Sequence, residues 1–337
     1  MYFWELSANT LQEFSAKSKT VRYILLKIKI AGDILKILVT GGAGFIGAHL
    51  TQQLLKNNFE VEVLDNLSTG NKKNLPQEIN LTVMDVRDVE VKNFIKRGNF
   101  DAIVHLAAQI AVADSMKNPQ LDADINIAGT INILEAARLS NVRRIIFAST
   151  AAVYGDVAEE DLPIQESQNL RPMSFYALSK MTAENYIRSY AEIFGLEYVI
   201  LRFANAYGEF QIDRGEGGVI SIFTRLIKQR QTPIIFGDGL QTRDFIHADD
   251  IASGICAALT TAEKNSTYNI STQTEINLND LIKIFGQVAG YEIFPQYQSP
   301  RKGDIRRSSL ANEKAKKFLN WKPEISLSEG LRRTYKH

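Results

Sequence analysis

Lys36-Ile37-Leu38-Val39-Thr40 runs straight into Gly41-Gly42-Ala43-Gly44-Phe45-Ile46-Gly47, and that into Ala48-His49-Leu50-Thr51-Gln52-Gln53-Leu54-Leu55. The first five residues form a short apolar run suited to a buried parallel strand. The last eight have helical spacing. The glycines between them permit a tight turn, close approach of backbone to a pyrophosphate, and close packing of helix on strand. The helix N-terminus then offers unpaired N–H groups to the anion. The next strand, Glu60–Leu64, ends at Asp65, eighteen residues beyond Gly47. A carboxylate there accepts from adenosine ribose hydroxyls and repels a 2′-phosphate, which points to NAD rather than NADP. The competing reading of Asp65 is a strand-end cap on the turn Asn66-Leu67-Ser68.

Outward from this turn, strand and helix signals alternate. Asn80–Met84 reads as a strand ending at Asp85, and Asp101–Leu106 as another, opening into Ala107-Ala108-Gln109. Ile125–Thr130 leads into a helix over Ile131–Arg138. Arg144–Ala148 is a strand followed by the stretch Ser149 to Gly155, and Glu197–Arg202 is the next strand. Such alternation implies right-handed βαβ units in a doubly wound parallel sheet, a Rossmann fold, within the α/β class. Ligands of such sheets bind at the carboxyl ends of the strands, where Asp65, Asp85, Ala107, Thr150 and Asn205 all fall. After about Ala204 the elements shorten and become less regular, which predicts a smaller α/β C-terminal substrate domain. The expected division is therefore an N-terminal extension over 1–35, a cofactor domain over 36–203, and a substrate domain over 204–337 whose segments near 240–258 return to the first. Asp249 is the expected N-cap of a helix running through Ala258.

Composition narrows the function. The 337 residues carry a net charge of +1, so no global field favours nucleic acid or an anionic membrane, and no apolar stretch is long enough to span a bilayer. The single cysteine, Cys256, fits a reducing cytoplasm. The four histidines (His49, His105, His247, His337) are scattered without ligand-like spacing, so no protein-held metal is expected. The first 35 residues look foreign to the fold. Lysines interrupt Tyr23–Ile30, no clean cleavage site follows, and a secretory signal is not indicated. No methionine occurs between Met1 and Met84, and the expectation is a translation start near Leu35 at a non-AUG codon.

The chemistry centres on Tyr176 and Lys180, in Ser174-Phe175-Tyr176-Ala177-Leu178-Ser179-Lys180 at the head of a helix that stops at Gly195. A spacing of four puts both side chains on one helical face. A phenol with a pKa of about 10 is a poor base at neutral pH, and an ammonium beside it favours the phenolate. Alone, the pair reads more often as an aromatic and a solvated lysine.

With their neighbours, these residues resemble the extended short-chain dehydrogenase/reductase family, and within it the NAD-dependent nucleotide-sugar epimerases of the UDP-glucose (UDP-galactose) 4-epimerase type. The likeness runs from Lys36 to about Arg332. It is carried by the glycine turn, Asp65-Asn66-Leu67, Asp85-Val86, His105 to Gln109, Ser149 to Gly155, Tyr176 to Lys180, Leu201 to Asn205, Phe236 to Gly239, Thr242 to Phe245, and Arg301 to Asp304. The resemblance implies that NAD stays bound against Gly41, Gly44, Phe45, Ile46, Gly47, Asp65, Asn66, Asp85, Val86, Leu106, Ala107, Ala108 and Ser149, with Tyr176 and Lys180 at the nicotinamide ribose. It further implies that Tyr176, as phenolate, takes the proton of the sugar 4′-hydroxyl, that Thr150 binds the 4′-oxygen or relays its proton, and that Lys180 lowers the Tyr176 pKa. A transient 4-keto sugar turns over and is reduced on its other face.

The places after Thr150 are Ala151 and Ala152, where dehydratases of the family carry Asp-Glu; without a carboxylate the intermediate returns as an alcohol. For the UDP-sugar, the resemblance implies diphosphate contacts from Arg243, Arg301 and Asn205, and a uracil pocket at Val219 and Phe236. It also implies a ribose contact at Asp304 and a site-lining amide at Asn126. Gln109 stands where well-known members carry lysine, and Phe175 replaces a frequent proline. Ser308 takes the place of a bulky aromatic and leaves room at C2 for N-acetylhexosamines. UDP-glucuronate is an alternative substrate, and an NAD-sensing binding protein is the alternative of another class; intact Thr150, Tyr176 and Lys180 argue against the latter. Relatives dimerise through two helices, here one starting near Asp122 and one carrying Tyr176, and a homodimer is expected; the apolar face through Ile187, Tyr190 and Phe194 fits that and ordinary core packing equally.

Overall fold

The crevice that holds the functional residues is made by the order of seven parallel strands. The computed structural model describes residues 34–211, 218–300 and 305–337. The N-terminal segment lies outside them except for its last two residues, as do Arg301 and Asp304.

Strand β1 (Lys36–Thr40) enters the glycine turn and leaves through helix α1 (Phe45–Lys56) into β2 (Glu60–Asp65) and β3 (Asn80–Val83). Helix α2 (Val91–Gly98) leads to β4 (Ala102–His105). Then come α3 (Val112–Lys117), α4 (Pro119–Ala123), one π-helical stretch (Asp124–Ala128) and α5 (Gly129–Leu139). Strand β5 (Arg144–Thr150), the long α6 (Phe175–Phe194) and β6 (Glu197–Phe203) follow. A last parallel strand, β10 (Ser266–Ile270), is added from far along the chain. The order is β10-β6-β5-β4-β1-β2-β3, so the chain first steps to one side of β1 and then to the other. Thr40 and His105 are register partners at this reversal, and ligands of open α/β sheets bind in the crevice outside such a point.

Both faces are covered. Val91, Phe94 and Ile95 of α2, Ile133 and Leu134 of α5, and Ala183 and Ile187 of α6 pack on Leu38, Ile103, Ile145, Phe147 and Ile200. Because β1 and β4 are buried on both sides, they read as continuous apolar runs without alternation. The other face carries α1 against α8 (Ala248–Thr260). Helix α6 starts where Ser174 Oγ accepts from Ala177 N at 3.1 Å and ends at Gly195, which takes the left-handed φ of 75°.

The C-terminal part builds two small sheets. In one, β7 (Asn205–Tyr207) is parallel and β11 (Glu275–Asn277) antiparallel to β9 (Thr242–His247); in the other, β8 (Ile234–Phe236) pairs with β12 (Gln296–Gln298). Helices α7 (Val219–Lys228), α9 (Leu278–Ala289), α10 (Glu313–Phe318) and α11 (Leu327–Lys336) complete it. Phe223, Phe245, Leu281, Phe285 and Leu331 belong to a second apolar core. No described helix is long and apolar enough to cross a membrane.

One expectation is corrected here. The N-cap of α8 is His247, whose Nδ1 accepts from Asp249 N at 3.2 Å. Asp249 sits in the first turn with its carboxylate turned to His49 Nδ1 at 2.6 Å. On α6, Ile187 is buried in the core and Tyr190 Oη donates to Glu135 Oε1 at 2.7 Å. The outward apolar residues are Phe175, Leu178, Tyr186, Ile193 and Phe194.

Candidate active site

The turn after β1 is shaped for an anion. Gly41 has φ +71°, and a Cβ there would lie 2.7 Å from Ala107 N; a Cβ on Gly47 would strike Gly41 O. Gly44 is the N-cap of α1 and no side chain caps the helix, so its first N–H groups face the crevice without a side-chain acceptor. Asp65 is nearly buried, and its carboxylate ties the turn to the end of β2. Oδ2 accepts from Ala43 N at 2.9 Å and Oδ1 from Leu67 N at 2.8 Å. Beside it, Asn66 Nδ2 donates to Asp85 Oδ2 at 2.8 Å. Arg87 grips Asp85 with Nε on Oδ1 at 2.8 Å and Nη2 on Oδ2 at 2.9 Å. Arg87 chiefly, with Asn66, holds the Asp85 carboxyl well below the usual range. Val86 is buried against Gly129. The glycine turn, Asp65, Asn66, Asp85 and Val86 thus form one continuous rim, as a dinucleotide requires.

Across the switch point, Leu106 N donates to Thr40 O at 3.1 Å and Ala107 N to Thr40 Oγ1 at 3.4 Å. His105 is buried between Thr40 Oγ1 (2.7 Å) and Thr130 Oγ1 (3.1 Å). Burial, aided by the charge of Lys180, pushes it down to about 3, so its imidazole is neutral.

Thr150 ends β5, and Tyr176 and Lys180 open α6. The Thr150 hydroxyl accepts from Ala152 N at 3.2 Å and is close enough to the Tyr176 phenol to favour its ionised form. Lys180 is buried; its Nζ donates to Ala148 O at 2.9 Å and lies 4.7 Å from the centroid of the Phe147 ring. In the protein alone, desolvation governs both groups. It pushes the phenol up to about 12, against the Thr150 hydroxyl and with help from Asp122. It pushes Lys180 down to about 8, against Asp122 and Glu184. In the protein alone the lysine is itself desolvated and turned to Ala148 O.

Two expected contact residues face inward instead. Ser149 Oγ donates to Glu184 Oε1 at 2.6 Å. The Asn126 amide clips Gln109, accepting from its N at 2.9 Å and donating to its O at 3.0 Å, and also reaches Ser179 Oγ at 3.0 Å. The π-helical turn aims Asn126 this way. Both residues are buried. The sequence reading missed Asp122 and Glu184. Asp122 is buried beside Asn126, and Glu184 is fully buried against Arg202. The spacing Tyr176, Lys180, Glu184, Arg188 along one face of α6 was the signal available for Glu184.

On the substrate side, Asn205 is exposed at the start of β7, Val219 opens α7, and Phe236 ends β8 half-buried. Arg243 Nη1 donates to Ile305 O at 2.7 Å. Ser308 is half-buried beside Arg307, whose Nη2 donates to Glu275 Oε1 at 2.8 Å. Among the described residues no group of histidine, cysteine or carboxylate side chains could hold a metal ion.

A model of the "NAD dependent epimerase/dehydratase family" matches residues 37–271. A Methanocaldococcus jannaschii relative, named provisionally as a UDP-glucose 4-epimerase, is 45% identical over 298 residues, spanning 88% of this chain and 96% of its own. The crystal structure of a Thermotoga maritima UDP-glucose 4-epimerase with UDP-glucose is similar at a TM-score of 0.86 and 38% identity, covering 90% of this chain and 98% of that one. A Methanobrevibacter ruminantium UDP-N-acetylglucosamine 4-epimerase in complex with UDP-N-acetylmuramic acid gives a TM-score of 0.85 at 31% identity, with the same coverage of both chains.

Proposed function

The chain belongs to the NAD dependent epimerase/dehydratase family, and from that premise we propose that it inverts C4 of a UDP-hexose through a transient 4-keto sugar. The observation that carries this reading is Thr150 at the end of β5, with Tyr176 and Lys180 one helical turn apart at the head of α6 and alanine at both places after Thr150. NAD, when bound, supplies a two-electron acceptor that later returns the electrons. Gly41, Gly44, Gly47 and the first turn of α1 would hold its pyrophosphate, and Asp65 its adenosine ribose. The uncapped helix and the close backbone packing of the turn, which only glycine allows, fit that group.

The residues of the chain then manage protons. Tyr176 Oη takes the proton of the 4-hydroxyl, and Thr150 holds the sugar oxygen at hydrogen-bond distance from the phenol. Lys180 supplies positive charge to a phenol whose desolvation otherwise opposes ionisation. A cationic nicotinamide adds to the same field. With Ala151 and Ala152 beside Thr150, nothing in that turn donates a proton to a leaving hydroxyl, so the ketone is reduced again rather than dehydrated. Arg243 and Arg301 suit the diphosphate through their planar donor forks. Asn205 is a further diphosphate contact, Val219 and Phe236 suit the uracil, and Asp304 the uridine ribose. Ser308 leaves room at C2, in keeping with N-acetylated hexoses. Asn126 acts on the site through Gln109 and Ser179 and not by touching the sugar.

The outward residues Leu178, Tyr186 and Ile193 of α6, with Leu121 of α4, are 41–70% exposed and support a homodimer through these helices; light scattering of the parent and of Ile193→Glu tests this. The single cysteine, Cys256, supports a cytoplasmic setting. The reaction is tested by incubating the protein separately with UDP-glucose, UDP-N-acetylglucosamine and UDP-glucuronate, without added NAD, and following the sugar signals by NMR. Inversion at C4 of at least one is expected, and none in any of the three refutes the reading.

A further inference from the structure

Asp122 is a buried carboxylate with 1% exposure whose two oxygens are treated very differently. Oδ1 accepts from Gln109 Nε2 at 3.1 Å and from Asn126 Nδ2 at 3.2 Å. Oδ2 is buried and has no hydrogen-bond partner. The nearby Ser179 hydroxyl does not supply one, because its single proton goes to Tyr176 O at 3.0 Å while Asn126 Nδ2 donates to its lone pair. An asparagine would meet every hydrogen bond that Oδ1 makes, so packing and hydrogen bonding leave the charge of Asp122 unexplained. A buried, half-satisfied carboxylate is unfavourable for folding.

The cation whose charge acts on it is Lys180. Asn126 and Ser179 stitch α4 to the first turn of α6, directly beside the lysine. The titratable and charged groups acting on Lys180, or acted on by it, are Asp122, Glu184 and His105. His105 is neutral, and Tyr176 is a neutral phenol in the protein alone. Glu184 is already matched, since its carboxylate accepts from Arg202, Arg188 and Ser149. Asp122 is thus the carboxylate in reach whose charge nothing else neutralises.

We propose that Asp122 is a positioning residue that holds Lys180 as an ammonium beneath Tyr176. Its importance for turnover rests on the epimerase reading; its effect on the lysine does not. The full-length protein labelled with [ε-13C]lysine is titrated by NMR, the Lys180 signal being assigned by its loss in Lys180→Met. In Asp122→Asn the Lys180 midpoint falls by about 1 pH unit, and the alkaline limb of kcat moves to lower pH by the same amount. Glu184→Gln moves the midpoint less. In the parent protein the Lys180 signal also steps at the pH where Asp122 takes up its proton, so the account stays testable should the asparagine variant not fold. An unmoved midpoint in Asp122→Asn, no such step in the parent, or a larger shift in Glu184→Gln overturns the proposal. A shifted midpoint in a protein that inverts no UDP-sugar upholds it and defeats the epimerase reading instead.

Discussion

Tyr176, Lys180, Glu184 and Arg188 follow one another at intervals of four along α6, yet its two halves are built on opposite terms. In the C-terminal half, Glu184 accepts from Arg202 Nε at 2.9 Å and Nη2 at 2.7 Å, and from Arg188 Nη2 at 2.7 Å. Burial alone would raise its carboxyl, but Arg202, Ser149 and Arg188 together hold it below its usual value. In the N-terminal half no such matching exists, and burial pushes the phenol up and the lysine down towards their neutral forms. The matched half locks α6 to β5 and β6 through Ser149 and Arg202. The unmatched half leaves two groups whose protons move with small changes in their surroundings, which is what acid–base chemistry needs.

The comparison breaks most visibly at Tyr176. Tyr176→Phe is expected to lower kcat about 1,000-fold while changing stability by under about 1 kcal/mol, since only the phenol hydroxyl is lost. The NMR assay and urea unfolding measure the two, and near-normal turnover would remove Tyr176 from the chemistry. Glu184→Ala should do the reverse in character. It leaves Arg202, 3% exposed, without its carboxylate and is expected to cost about 3–5 kcal/mol in urea unfolding. A loss under about 1 kcal/mol would mean that the matched half is not a lock.

The smallest effect concerns a third polar cluster. His49 on α1 faces two acceptors, Asp249 Oδ1 at 2.6 Å and Glu209 O at 3.0 Å, so it is held as an imidazolium. Burial opposes this, but Asp249 and Glu209 prevail and raise it above its ordinary value. A raised histidine contributes stability that is full below about pH 6.5, the unfolded value, and is lost as pH rises through the folded one. The Tm deficit of His49→Gln should therefore be largest near pH 6 and shrink towards pH 9; a deficit that grows with pH contradicts the assignment.

Residues differ in how legible they were. The turn from Lys36 to Leu55 could be read because strand, glycine spacing and helix constrain one another within twenty residues. Gly195 could be read as a stop because a left-handed residue at a helix end favours glycine. Asp249 misled because carboxylates are common caps, whereas here the His247 imidazole takes that place and frees the carboxylate for His49 on another helix. Ser149 and Asn126 carried the right motif but turn inward, towards Glu184 thirty-five residues away and Gln109 seventeen away. Asp122 had no local signature. A lone aspartate in a helical stretch reads as solvated, and only the π-helical turn beside Asn126 and the packing of α4 on α6 bury it.

The central claim is that C4 is oxidised and reduced in one site while Tyr176 handles only the hydroxyl proton. UDP-[4-2H]glucose in ordinary water tests it most directly. The account predicts UDP-galactose with deuterium retained at C4, formed without added NAD. Product with the deuterium washed out to solvent would contradict it.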